Sequence, residues 1–562
     1  MIGHTSPISG VDVFADKLVV TAGYDNQVIL WDAARRTALA RGYHDHLANQ
    51  CRFSPTGRAV VSASSDYSAR VWSVPELHLL SVLGPHDDDV EMATFDPAGE
   101  RVATACRDGS VRIFAADGSC LCRLAGHEAD VLSVEWLTAE TLASTGDDGT
   151  LRLWDLREAR LLQTHNFGLV ETDTFAVLPN SADLCIGDDH GQLTWISQGQ
   201  RRVMKAHEAG VKRVIAAPNG LVLTTSYDRM ARLWRVATGS TAPFALAAEI
   251  ELPAQVWPRS AAFGAAGTLI FGTFGNTYAT YGLSTATWDL EALELSGGIN
   301  AIWADDAGVY TVGDAGLVRD RRDIVGRVGS LCNFIISVPE RLVIGGQTGQ
   351  LFDARSGEVL HRHHAPLNCA VTFRCGQGVR LVVGAYTGDA LVFDVTAGAL
   401  THIATVQLHD NAIKGLASNG THLFSVCATG AAAFHTLPDL ACVRTINRAH
   451  TKIANGAAAI NDGRFVSVGR DLMLRIWSLG GSSAVCTPHD HSVKCVTASR
   501  DGRWVATGSY DGQVAVYDLS HQKWVVHERP TASGISSITQ GCTPGTFLAG
   551  SYDGLVYEVS LP

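Results

Sequence analysis

Apolar and polar residues alternate in short runs along most of the chain, and residues 126–155, GHEADVLSVEWLTAETLASTGDDGTLRLWD, show the unit most completely. Val131, Val134 and Trp136 mark one alternating run, Asp147-Asp148-Gly149 supplies a turn, and Leu151, Leu153 and Trp154 resume the alternation. A period of two broken by Asp-Gly chemistry predicts short antiparallel strands. Runs like the last one recur as VILWD (28–32), ARVWS (69–73), VRIFA (111–115), QLTWI (192–196) and ARLWR (231–235). In YATYG (278–282) Tyr281 takes the Trp place. After a less regular stretch the pattern returns in LRIWS (474–478), VAVYD (514–518) and LVYEV (555–559). The fold class predicted from this patterning is all-β.

The spacing of about 40 to 45 residues, with Gly-His opening a unit and Trp-Asp closing it, resembles the WD40 repeat, whose units form four-stranded blades of a β-propeller. That resemblance implies a buried hydrogen-bonded chain of His, Ser or Thr, turn Asp and Trp, here His127, Ser144, Asp148 and Trp154. The His recurs at His4, His44, His86 and His207, and later at His409, His450 and His489. The turn Asp is read at Asp25, Asp66, Asp108, Asp148, Asp189, Asp228, Asp471 and Asp511. Fourteen units result. Because propellers usually have four to eight blades, the layout expected is two seven-bladed WD40 β-propellers in tandem, residues 1–294 and 295–562. The chain reaches Pro562 directly after a third strand. Residues 286–293, with Trp288-Asp289, are therefore read as an outer strand serving either the seventh or the fourteenth blade, the other being left three-stranded.

Composition narrows the function classes. The chain of 562 residues is 46% hydrophobic and 18% charged with 56 Gly, the profile of a turn-rich β protein. Its net charge of -12 and lack of a basic stripe argue against a general nucleic-acid binder. The bias of 37 Arg over seven Lys is read as a GC-rich bacterial genome. The N-terminus lacks a basic region followed by an apolar run, and no stretch approaches the roughly 18 to 20 apolar residues of a membrane span. Thirteen scattered Cys without CxxC pairs fit reduced thiols in a cytoplasmic protein.

No phosphate loop, HExxH helix, GxSxG elbow or GxGxxG-helix motif is present. A propeller site would instead be assembled from single residues of several blades. At the positions the WD40 resemblance assigns to the upper face and channel mouth, the first propeller carries Asp89, Glu91, Asp130, Asp147, Glu171 and Asp188, facing Lys212 and Arg259. The second carries Asn300, Asn368, Lys414, Asn455 and Lys494, a neutral-to-basic set rich in amides. His46 beside Glu91, and His363 with His364, are candidate metal ligands.

The resemblance implies an interaction platform that binds a protein or small cationic partner on the upper face, without a cofactor. Its layout is similar to two-propeller actin-binding WD proteins, with no residue tying it to actin. The alternative is a metal-dependent enzyme, oxidative or hydrolytic, of bacterial secondary metabolism. Bacterial WD-repeat chains occur in such gene sets, toxoflavin production being one setting.

Overall fold

The alternating runs are strands and the Asp-Gly turns link them, as the opening unit shows: Val131–Trp136, Thr141–Gly146, Thr150–Asp155 and Arg160–Asn166 form one antiparallel sheet. The structure, a computed structural model, describes residues 2–168, 170–179, 181–236, 244–264 and 267–561. Within it, strands follow in chain order in fourteen sheets, thirteen of four strands and the last of three. The second strands are mostly apolar or small, as in LVVTAG and AVVSAS, and buried on both faces. Fourth strands such as TALARGY bury only alternate residues, because one face meets water.

The chain divides into two compact units, Met1–Ser296 and Gly297–Pro562. In the first unit the innermost strands of seven successive sheets pack side by side, and Ile8–Phe14 of the first meets Val256–Phe263 of the seventh, closing the circuit. Gly272 sits at that closure, where a Cβ would collide with the Ile8 carbonyl. Between the third and fourth sheets Met92, Val111, Val134, Leu142 and Trp154 form one core, and equivalent cores fill the other gaps. The second unit repeats the circuit with its own seven sheets, Ile299–Asp305 packing against Ile535–Gln540.

Residues 287–289 pair with Ala279–Gly282 as the fourth strand of the seventh sheet, so the fourteenth, Ile535 to Ser560, is the three-stranded one. The cause is local packing. Trp288 packs at a tilt against Phe271 and Tyr281 with ring centroids 5.0 and 5.1 Å away, and its indole N–H donates to the Glu251 carbonyl at 3.2 Å.

Candidate functional site

The repeat polar chain is structural. Trp154 Nε1–H donates to Ser144 Oγ (2.8 Å), Ser144 bonds His127 Nε2 (2.8 Å), and His127 Nδ1 bonds Asp148 (2.9 Å). Asp148 also accepts the Glu128 and Thr150 amides at 3.1 Å. Burial raises its pKa, but the His127 bond and charge outweigh that and hold it at about 2. The same four-residue chain runs through His4, Thr21, Asp25 and Trp31, and through His450, Ser467, Asp471 and Trp477.

The residue after the first apolar anchor of the innermost strand is a β-bulge in most sheets: ladder pairing skips Ser9, Asn49, Glu91, Leu132 and Lys212, and then Asn300 through Ser536 in the second unit. A bulge re-aims its side chain. Here it aims at the next sheet. Asn49 donates to Val90 O (3.0 Å), Asn333 to Leu367 O (2.8 Å), Asn368 to Ile413 O (2.7 Å), Asn455 to Val493 O (2.8 Å), and Asn300 to Cys332 O (3.2 Å). Ser9 bonds Ala48 O and Ser536 bonds Ile299 O in the same way. The amide nitrogens of Asn300, Asn368 and Asn455, expected above to serve a ligand, are thus committed to sheet-to-sheet ties. A charged residue at this position, such as Glu91, Lys212, Lys414 or Lys494, brings a charge into the channel instead, and chemistry has to be sought there.

In the first unit the charged positions converge. Arg107, just before the turn Asp108, bonds Glu91 and, at 2.5 Å, Asp130. Lys212 bonds Asp173 at 2.6 Å and also Asp189. Burial alone would lower the pKa of both cations, yet these carboxylates push both well up. Arg259 feels Glu91 and Asp173 as well. The balance is still negative: Asp147, Glu171 and the Lys212-bound Asp173 present oxygens within 4.8 Å of one another, and Asp147 Oδ1 is buried without a hydrogen-bond partner. Burial, then Glu171 and Asp130, raise the Asp147 pKa well above the carboxylate range, and Arg107 only partly opposes them.

Two expected members of the acidic arc are not exposed on its surface. Asp89 is buried at 5% exposure. Asp188 is buried too, accepting the His190 and Gln192 amides at 3.0 and 2.9 Å, which makes it the turn carboxylate of the fifth sheet. Asp189, expected in that role, has its amide on the Glu171 carbonyl, as Asp147 has on Asp130, and faces Lys212. The reading was one residue out of step because Asp188-Asp189 offers two candidates and Phe167, not a His, occupies the preceding repeat position. Arg107 and Asp173 were missed; only the cation before Asp108 and the Glu171-x-Asp173 spacing signalled them.

The metal candidates are not assembled. Among the described residues the one three-donor group is Asp147, Glu171 and Asp173, which includes neither His46 with Glu91 nor His363 with His364. His363 holds a repeat position instead, its amide on Gly349 O and its Nε2 4.0 Å from Asp389. His364 packs against its ring at 4.2 Å. His46 offers its carbonyl to Ser64 Oγ at 3.2 Å. The channel of the second unit is a cavity of about 390 Å³ lined by the Asn ties together with Lys414 and Lys494.

The family model of the WD domain, G-beta repeat, matches residues 1–32, 39–73, 77–114, 118–155, 198–235 and 480–518. These six segments match the WD40 repeat. It is 25% identical over 244 residues to BEACH domain-containing protein B of Arabidopsis thaliana, covering 38% of this chain and 9% of that protein. To the transcriptional corepressor LEUNIG_HOMOLOG of the same organism it is 25% identical over 233 residues, 40% of this chain and 24% of the relative. To nuclear distribution protein PAC1 of Arthroderma otae it is 28% identical over 171 residues, 27% of this chain and 28% of the relative. The chain therefore spans well under half of each relative. The solved structure of U3-55K superposes with a TM-score of 0.45 at 20% identity, covering 48% of this chain and 89% of that one.

The WD40 matches fall mainly on sheets with the His-to-Trp chain. The twelfth sheet carries the complete set at His450 and Trp477 although both lie outside the matched segments. Geometry extends the repeat beyond what residue identity shows.

Proposed function

We propose that this WD40 protein is an interaction platform whose first unit receives a positively charged segment of a protein partner at Asp147, Glu171 and Asp173. One observation carries the reading: three carboxylates crowd within 4.8 Å while a buried Asp147 oxygen has no donor. A buried, unpaired carboxylate is costly, and an incoming ammonium or guanidinium would supply both charge and hydrogen bonds. Arg107 is shared by Glu91 and Asp130, and Lys212 by Asp173 and Asp189, so the two cations offset only half of that charge and the group around Asp147 stays negative. They hold the surrounding groups in place and leave the Asp147 side open to a partner. The relatives named as a corepressor and a nuclear distribution protein agree with an assembly role. On this reading each closed circuit of seven sheets is a seven-bladed propeller. A bacterial, cytoplasmic setting rests on the Arg bias and the thirteen unpaired Cys, and the relatives named above are all eukaryotic.

The same triad favours one second reading. Three oxygen donors and no His or Cys suit a hard divalent cation such as calcium, magnesium or manganese rather than zinc or copper. That would be the entry to metal-dependent chemistry, including the toxoflavin-type setting.

The test is paired affinity capture with the full-length protein and the Asp147→Asn/Glu171→Gln variant as baits, at two salt concentrations, with elemental analysis of both preparations. The platform reading expects proteins retained by the wild type, lost with the variant and weakened by salt. Identical protein sets on both baits refute it. One divalent ion per chain, absent from the variant, selects the second reading.

A further inference from the structure

The ties between sheets provide a baseline against which the second unit's channel can be read. At the bulge position five of its seven sheets place Asn or Ser, each bonded to a carbonyl of the following sheet. The remaining two, the eleventh and thirteenth, place Lys414 and Lys494. This chain has only seven Lys beside 37 Arg, so two in one channel depart from its own habit. Lysine here gives up the tie and brings a charge into a confined space.

Neither ammonium is compensated by a carboxylate. No ion pair involves Lys414 or Lys494 among the described residues, and the residues lining the 390 Å³ cavity include no Asp or Glu. Each lies beside tyrosine instead: Lys414 Nζ is 4.5 Å from the Tyr386 centroid, and Lys494 Nζ is 5.9 Å from that of Tyr510 and hydrogen-bonds its uncharged side chain. Tyr510 stacks on Tyr552 with centroids 6.1 Å apart, and Tyr552 lines the cavity. Burial pushes the Tyr510 hydroxyl up, but Lys494, Arg470 and Lys414 together bring it down, which places all three cations around one phenol. A ring face attracts a cation but does not neutralise it. Cations confined without a counter-charge are costly, and a cavity of this size is in the range that holds small molecules.

We propose that the channel of the second unit binds a small organic oxyanion, carrying phosphate or carboxylate groups, at Lys414 and Lys494. The ammonium groups supply charge-assisted hydrogen bonds, and the phenols and amide oxygens along the wall suit a polar remainder. This site lies in the second unit and stands independently of the partner surface proposed for the first. The two channels then differ in sign, one taking cations and the other anions.

The experiment is calorimetric titration of the full-length protein with inorganic phosphate, pyrophosphate and citrate. It is repeated on Lys414→Asn/Lys494→Asn and on Lys414→Arg/Lys494→Arg. Asn at these positions restores the bonding residue of the other sheets, so the Asn variant should melt no lower than the wild type. The proposal expects saturable binding at or below about 1 mM for at least one probe. The Asn variant should weaken it at least tenfold and the Arg variant should retain it. Binding of phosphate or pyrophosphate alone assigns a phosphorylated ligand; binding of citrate alone assigns a carboxylate. Absence of saturation with all three, or equal binding by the Asn variant, overturns the proposal. If the Asn variant does not fold, Lys414→Met/Lys494→Met takes its place under the same criteria.

Discussion

Replacing Asp147 by Asn should stabilise the first unit, against the usual direction of a change at a confined polar residue. The carboxylate shares a 4.8 Å neighbourhood with Glu171 and Asp173. At an effective dielectric of about 20, two like charges that far apart repel by about 3 kcal/mol. Asparagine is nearly isosteric and uncharged. Setting the relieved repulsion against the lost attraction to Arg107 leaves a net gain of about 1–3 kcal/mol, or about 2–6 °C in Tm for a unit of this size. The pH dependence fixes the sign. Because the folded Asp147 pKa lies above 3.8, the stability it contributes is fully present below that value and is lost as pH rises through the folded pKa. Wild type and variant should therefore melt alike in acid and part as pH rises toward neutrality, the variant on top. Differential scanning calorimetry from pH 3.5 to 8 checks both points. A variant that melts below the wild type at neutral pH would show that the carboxylate is satisfied within the fold, and the reasoning behind the site would fail.

Other changes should act through structure. Trp154→Ala, losing a fully buried ring at the centre of a sheet-to-sheet core, should cost about 3–5 kcal/mol. His127→Ala should cost about 1–3 kcal/mol by unpairing Ser144 and Asp148, measured by urea denaturation. Asn368→Ala removes one tie and leaves the Ile413 carbonyl without it, an expected loss of about 1–2 kcal/mol; an unchanged midpoint would show the tie to be dispensable. Asp148, held at about 2 in the fold, contributes stability above pH 3.8 that disappears as pH falls through 2. Asp148→Asn should therefore flatten the acid limb of the unfolding profile.

Strand periodicity was legible over most of the chain because the third strands advertise themselves: an apolar alternation closed by an aromatic survives even where Tyr281 replaces Trp. The outer strand at Trp288 was legible too, since Trp288-Asp289 follows Tyr281 too closely to open a new unit, but the choice between the seventh and the fourteenth sheet needed the pairing with Ala279–Gly282. Site residues were harder to read. The amide rows at Asn300, Asn368 and Asn455 look like a ligand-binding mouth in one dimension, but each amide nitrogen is tied to a carbonyl about 40 residues away on the next sheet, which leaves only the amide oxygens to the channel. Arg107 and Asp173 escaped notice because their importance comes from Glu91, Asp130 and Lys212, which only the closed circuit brings alongside. Asp188 and Asp189 could not be ranked without the backbone bond that distinguishes the turn carboxylate from the one facing Lys212.

The most direct test of the central claim is a fluorescence-polarisation screen of short peptides bearing Lys or Arg against the full-length protein and its Asp147→Asn/Glu171→Gln variant. The account predicts a subset that binds the wild type, weakens as salt is raised and loses at least tenfold in affinity with the variant. Peptides that bind both proteins equally, or no binding at low salt, would contradict a cation-receiving site at Asp147, Glu171 and Asp173.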